Sequence, residues 1–477
     1  MKKDSTGSFI TRNSEVFLLI ALGAIACIYL AACAINVIAA LALLLAVITA
    51  YAFLKLKDAA FLTYIIVLPF SAIPYLVALP MGMSSVKLLL ALFIVFAILF
   101  VMYKRPYTVN YGVLIGLIVF TVLCTAAWLR SLSFAPLAFS LTTGGNPSVL
   151  RYLIDHVAWT YITIIPMIAL AYFYSTDKEI ERVITAIEIS LALLVCYMLF
   201  VLVFKVGNMG DFEAIRSELG KYLGMHGNDI ANYFIVVFPV ILAWAMYKRN
   251  AVSFTALGFI TAGTILSFSR TAYFVVAIEV LTYLFFSGRS RWIPIVALVA
   301  ALTVSVLMPE MIIERAATGL ATGDYDEISA GRIDYIWKPL VHELGEKTDT
   351  LLLGSGRFGI MNTDAWKEYR ITLVTHAHNM YLDTILDVGV VGLAVFLGLY
   401  GILIAGFARC SRRLKAKSQY RSSLLVGCIV SLISYLISGL TGRSFFPGLA
   451  NAYLWVVIGL GIALCTGGLN HEASIRE

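Results

Sequence analysis

The sequence predicts an all-α, polytopic integral membrane protein, and two observations lead to that expectation. Of 477 residues, 61% are hydrophobic and only 13% charged. The apolar residues also fall in long uninterrupted blocks, unlike those of a soluble globular chain.

Lipid offers no partner for backbone amides, so a chain crosses it as helices of roughly 20 apolar residues that satisfy their own hydrogen bonds. About fourteen such blocks (12 to 14, depending on whether neighbours fuse) can be counted by that length. They lie near 16–35, 36–54, 59–79, 86–103, 109–129, 157–174, 183–204, 230–247, 251–268, 271–286, 292–308, 380–408, 423–440 and 449–466. The first two, joined near Asn36, read as two spans or one long helix. No internal repeat or soluble domain boundary interrupts them, so residues 1–477 read as a single polytopic membrane domain.

Lys and Arg in short loops resist translocation and orient the chain. Alternate connections carry Lys55 and Lys57, Lys104 and Arg105, Lys178 and Arg182, Lys248 and Arg249, Arg289 and Arg291, and the run "CSRRLKAKSQYR". With a count of fourteen these fall on one side together with both termini, which predicts cytoplasmic ends. The net charge of +7 is explained by this loop bias and by acidic lipid headgroups, not by nucleic acid as a partner.

The opposite side holds the long segments 130–156, 205–229 and above all 309–379, a large extracytoplasmic loop. His156, His226, His342, His376 and His378 all lie there. The chemistry is therefore expected on the periplasmic or outer face. The seven cysteines lie in or beside membrane blocks, which gives neither a disulfide framework nor a Cys metal site. "LAAC" at 30–33 has the look of a lipoprotein cleavage box, but Asp4 and Glu15 precede it and the apolar run continues past the cysteine, so it is read as part of a span.

Three stretches hold candidate functional residues. In "SFSRTAYF", Arg270 is a lone cation between two apolar blocks, and a guanidinium at the membrane boundary is costly unless it faces a polar cavity or an anion. A snorkelling arginine is the plain alternative. In "SAGRIDYIWKPLVHELGE", Ile333, Ile336, Trp337, Leu340, Val341 and Leu344 recur at helical spacing, which predicts an amphipathic helix with Arg332 in its first turn and Tyr335 one turn on. A bound anion would turn that unfavourable N-terminal cation into a favourable one, although a solvated surface arginine reads equally well.

The third stretch, "VTHAHNMYLDTILDVGVVGL", brings His376, His378 and Asn379 to the mouth of an apolar block. An imidazole there can act as base, acid or donor to a hydroxyl. Asp383 and Asp387, four apart, put carboxylates on one face, so that face turns away from lipid. In the plainer reading His378 caps the helix and the aspartates pair with Lys87 or Arg443.

Weaker features complete the set. "GSGRFG" at 354–359 fits a dinucleotide glycine pattern but lacks the strand–helix context, so a tight turn presenting Arg357 is expected. "GDYDEIS" reads as a solvated acidic loop. Arg216 precedes "ELGKYLGMHGNDIANYF", and Arg443 sits in "TGRSFFPG". Arg216, Arg270, Arg332, Arg357 and Arg443 are thus expected on one side. Arginine forks suit phosphate, which suggests a lipid pyrophosphate substrate.

The motifs "SFSRTAYF", "SAGRIDYIWKPLV" followed by "LLGSGRFG", and "AHNMYLDTILDVGVVGLAVFLGL", in that order, resemble the O-antigen ligase and O-antigen polymerase family of bacterial membrane glycosyltransferases. The resemblance covers about residues 215–410 and is most specific at the Ala-His-Asn stretch. It implies an inner-membrane enzyme that transfers glycan from an undecaprenyl-pyrophosphate donor to a sugar hydroxyl of lipid A core or of another lipid-linked repeat, with no metal or other cofactor. It implies Arg270 and Arg332 on the pyrophosphate and His378 on the acceptor hydroxyl as the catalytic set. Arg216, Arg357, His376, Asn379, Tyr335 and Arg443 form the expected substrate-binding set. The rival class is a transporter or flippase of lipid-linked oligosaccharide, which predicts cations near the bilayer midplane and two similar halves.

Overall fold

The computed structural model describes residues 58–73, 85–103, 111–143, 148–206, 212–288, 291, 323, 329, 331–371, 374–442 and 444–476. Among them there are helices and no strands. The expected spans 16–35, 36–54 and 292–308, the acidic loop 323–329 apart from two of its residues, and Arg443 lie outside the described residues.

In chain order the helices are α1 Ala59–Val67, α2 Ser85–Tyr103, α3 Tyr111–Ser131, α4 Ala135–Thr143, α5 Ala158–Phe173, α6 Asp177–Lys205, α7 Phe212–Leu223, α8 Gly227–Lys248, α9 Ala251–Leu266, α10 Arg270–Phe286, α11 Lys338–Glu346, α12 Thr348–Leu353, α13 Met380–Leu414, α14 Gln419–Ser438 and α15 Ala452–Arg476. Among the described residues, six stretches are long and apolar enough to cross a membrane: 112–131, 177–205, 227–248, 380–414, 419–438 and 449–467. Every apolar block expected within the described residues coincides with a helix. The block near 59–79 changes character, because Pro69 follows α1 and the chain tightens into a 3-10 turn over Leu68–Ala72.

Caps explain several helix starts. Thr176 accepts from the Glu179 amide while the Glu179 carboxylate accepts from the Thr176 amide, a reciprocal box opening α6. Asn250 and Ser418 accept from Ser253 and Arg421 at the starts of α9 and α14.

The bundle is built around α8, α14 and α15. In these spans 83%, 72% and 78% of the apolar window is buried, against 22% in α3 and in α13, whose outer faces are left for lipid. Helix α8 packs on α14, α15 on α5, and α13 on α14. Arg421, 7% exposed, ties two of these layers by donating to Asp177 of α6 and to the Ser175 and Leu464 carbonyls.

The segments expected outside the membrane are structured where described. Residues 130–156 contain α4, 205–229 contain α7, and the long loop contains α11 and α12. The amphipathic helix expected over 329–346 instead begins as a π turn, Ile333–Trp337, before α11. Ile336, Leu340 and Leu344 form its buried stripe, but Val341 is 58% exposed. The correction follows from the step of four, which turns the residue after Leu340 away from the packed face.

Candidate active site

The site forms where four connections meet. Helix α9 ends at Leu266, Phe268 adopts a left-handed backbone (φ 50°), and α10 starts at Arg270. That sharp turn holds Arg270 at the head of the helix. Its neighbour Thr271 shares a hydroxyl–hydroxyl hydrogen bond of 2.7 Å with Thr441, in the loop after α14. The Arg332 guanidinium, from the far side of the long loop, donates to the Thr441 carbonyl at 2.8 Å. One threonine therefore joins the segments of both arginines.

Arg216, from α7, reaches the same corner. Its guanidinium donates to Asn228 at 3.3 Å and packs against Gly227, where a Cβ would also meet the Ser267 carbonyl. A side chain there would press on both neighbours at 3.0 Å. Asn228, Asn232, Ser269, Thr271, Ser438 and Thr441 line a niche of about 10 Å³, room for roughly one water.

The histidine segment abuts this corner. The Met380 amide donates to the Gly439 carbonyl at 2.7 Å, and the Asn379 amide side chain donates to Leu440 at 3.3 Å. The plain expectation that His378 caps α13 is corrected: the cap is Asn379, whose Oδ1 accepts from the Tyr381 and Leu382 amides at 3.0 and 3.1 Å. Asn379 has the extended backbone a cap requires, whereas His378 is left-handed (φ 55°) and stands outside the helix. That ring lies 4.2 Å from the ring of His376. The intervening Ala377 is held by both ends: its amide donates to Asp383 at 2.7 Å and its carbonyl accepts from the Trp337 indole at 2.7 Å.

The aspartates were also expected with Lys87 or Arg443. Asp387 pairs instead with Arg357 at 2.5 Å and accepts from the Gly359 amide. The "GSGRFG" segment is the expected tight turn, with Gly354 and Gly356 at φ 66° and 109°, but it turns Arg357 inward. Its charge is thereby held by Asp387, whereas Arg332 bonds Thr441. Tyr335 is 67% exposed beside the Arg332 turn, and Arg443 lies outside the described residues.

Beyond His376 opens a cavity of about 260 Å³, walled by Trp128, Trp159, Phe358 and Phe446 and edged by His156, Arg357 and Asp383. Sequence reading assigned no role to its aromatic walls, and His156 was marked only by its outer position. Asn451 anchors the rim: its amide donates to the Ser444 and Phe446 carbonyls and to the Tyr435 hydroxyl, and its oxygen accepts from the Gly448 amide.

Residues 254–397 match the family model described as O-antigen ligase. That segment is similar to O-antigen ligases. The match includes Arg270, Arg332, Arg357, His376, His378 and Asn379, while Arg216 and the cavity wall from 444 to 451 lie outside it. No curated protein matches the chain. The apolar helices and this match together support a multi-pass membrane protein similar to O-antigen ligases.

Proposed function

We propose that the protein transfers a glycan from an undecaprenyl-pyrophosphate donor to an acceptor sugar hydroxyl, on the periplasmic face of a bacterial inner membrane, without a metal and with inversion. The observation that supports this most is the convergence on the 439–441 loop. Arg332 bonds Thr441, the Arg270 turn bonds Thr441 through Thr271, and the histidine segment bonds Gly439 and Leu440. The segments that carry Arg270, Arg332 and His378, distant in sequence, thus meet on one loop.

That arrangement suits a direct displacement. The acceptor oxygen attacks the anomeric carbon while the bond to the pyrophosphate oxygen breaks, and the leaving group departs with the electron pair as undecaprenyl pyrophosphate. Arg270 and Arg332 neutralise the charge that develops on it, which preorganised donors do at little reorganisation cost. Arg216, steadied by Asn228, adds to the positive field. His378 receives or orients the acceptor proton, with His376 beside it, and Tyr335 borders the donor side. Asn379 acts by fixing the start of α13. The acceptor is lipid A core in a ligase or a second lipid-linked repeat in a polymerase. Both termini lie in the cytoplasm in this reading.

The test is transfer in proteoliposomes with a defined undecaprenyl-pyrophosphate oligosaccharide and EDTA. Arg270→Ala, Arg332→Ala and His378→Ala, each folded by thermal melting, are expected to lower kcat by about 100- to 1,000-fold, the order seen when one transition-state donor is lost. A single product size marks ligation and a ladder marks polymerisation. If no glycosidic bond forms with any acceptor while labelled lipid changes leaflet, the flippase replaces this reading.

A further inference from the structure

We infer that the cavity beside His376 is a binding site for one neutral pyranose ring, and that this ring belongs to the acceptor; the acceptor assignment rests on the transferase reading above. Three observations on the cavity lead there.

The first is its walls. Trp159 and Phe358, both half-buried, line it together with the buried Trp128 and Phe446. The face of an aromatic ring is electron-rich, so it attracts the polarised C–H bonds that line one face of a sugar ring, while His156, His376 and Asp383 at the edges suit its hydroxyls. A lipid tail would need none of those polar groups.

The second is size and rigidity. About 260 Å³ falls just below the roughly 300–1,000 Å³ of drug-sized ligand sites, which fits a single ring rather than a chain. The walls are fixed before any ligand arrives. The Trp128 indole donates to Thr160 at 3.1 Å, and Thr160 donates to the Pro447 carbonyl at 3.0 Å, so α3, α5 and the rim loop are linked in series.

The third is charge and position. Among the described lining residues, the Arg357 charge is held by Asp387 and Asp383 is anionic, so the cavity offers no cationic surplus to a phosphate. His376 lines the cavity, and its ring is 4.2 Å from that of His378. A ring seated in the cavity therefore lies on the histidine side, where the proton is taken, rather than on the arginine side, where the pyrophosphate leaves.

The test uses the full chain in nanodiscs without donor, and saturation-transfer NMR with the methyl glycosides of glucose, galactose, mannose and N-acetylglucosamine. At least one is expected to bind saturably through its ring C–H protons and not to be displaced by inorganic pyrophosphate. Trp159→Ala should weaken binding about tenfold while Trp159→Phe keeps it, since only the former removes the aromatic face. Ala450→Phe, which fills the cavity and removes no wall, should abolish it. In the transfer assay, Trp159→Ala should raise the acceptor KM with the donor KM unchanged. No binding by any glycoside, binding unaffected by both Trp159→Ala and Ala450→Phe, or displacement by pyrophosphate overturns the site. Transfer with an acceptor KM indifferent to these variants removes the acceptor role and leaves the transferase standing. Sugar binding without transfer to any acceptor removes the acceptor role and the transferase together.

Discussion

The guanidinium of Arg357 closes on the carboxylate of Asp387 at 2.5 Å, with the two side chains 12% and 2% exposed. The second Asp387 oxygen accepts from the Gly359 amide at 2.8 Å, and the guanidinium lies 4.2 Å over the Phe358 ring. A turn of the long loop is thereby locked into a membrane helix. Removing one partner of a buried pair leaves an uncompensated charge and costs about 3–5 kcal/mol. Arg357→Ala and Asp387→Ala should each destabilise the solubilised chain by that order. The apolar double variant, Arg357→Met with Asp387→Leu, should lose less than either. Thermal unfolding of the three decides the matter, and losses that add would mean the two groups are not coupled.

Gly389 makes a second fastening. It breaks the helical backbone of α13 (φ 73°), and a Cβ there would strike the Leu352 carbonyl; one at Gly354 (φ 66°) would strike the Val388 amide. Gly389→Ala should therefore cost more than the roughly 1–2 kcal/mol of placing an L-residue in left-handed backbone. Gly398→Ala, in the same helix with nothing within 4 Å, should be neutral or gain up to about 1 kcal/mol. Melting temperatures that move together would argue against the close crossing of α12 and α13.

These fastenings mark what the sequence conceals. Spans were legible because lipid enforces long apolar runs; the block read at 86–103 is the helix Ser85–Tyr103. Arg270 and His378 stand out as candidates because a lone polar group beside such a run is conspicuous. The partner of Asp387 was not legible, since Lys87, Arg443 and Arg357 all offered a cation and only tertiary packing selects among them. Trp128, Trp159, His156 and Asn451 come from three separate parts of the chain. No periodicity joins an indole at one end of the sequence to a rim loop near the other. His378 and Asn379 are adjacent and polar, and the backbone angle that decides which one caps appears only in three dimensions.

The long loop has its own acid-sensitive tie. Burial pushes the Glu343 carboxyl up, but the hydrogen bonds from Lys347 and from the Ala365 and Asp364 amides outweigh it and hold the group below its ordinary value. Burial pushes Lys347 down, yet Asp364 and Glu343 outweigh that and hold it above its ordinary value. A lowered carboxylate stabilises fully above its unfolded pKa of about 4.3 and loses that contribution as pH falls through the folded value; a raised lysine does so below about 10.4 and loses it as pH rises through the folded value. Packing of α11 on the Asp364–Lys367 turn should thus be level across neutral pH and weaken below about pH 4. Hydrogen exchange at the Asp364 and Ala365 amides against pH reads this directly. Glu343→Gln should expose those amides already at neutral pH and flatten the acid limb, and an unchanged limb would place the acid sensitivity elsewhere.

Asn379 separates a structural role from a chemical one. Its Oδ1 accepts from two amides and its Nδ2 donates to Leu440, so the whole amide serves the start of α13 and the placement of His378 next to it. Serine caps about as well as asparagine, whereas alanine costs about 1 kcal/mol. Asn379→Ser should therefore melt near the parent, and Asn379→Ala about that much lower. If Asn379 only positions His378, Asn379→Ser recovers most of the kcat that Asn379→Ala loses, and the pH profile of kcat/KM keeps the parent's limb. A serine variant that is as stable as the parent but as inactive as the alanine variant would instead put the Asn379 amide in contact with substrate.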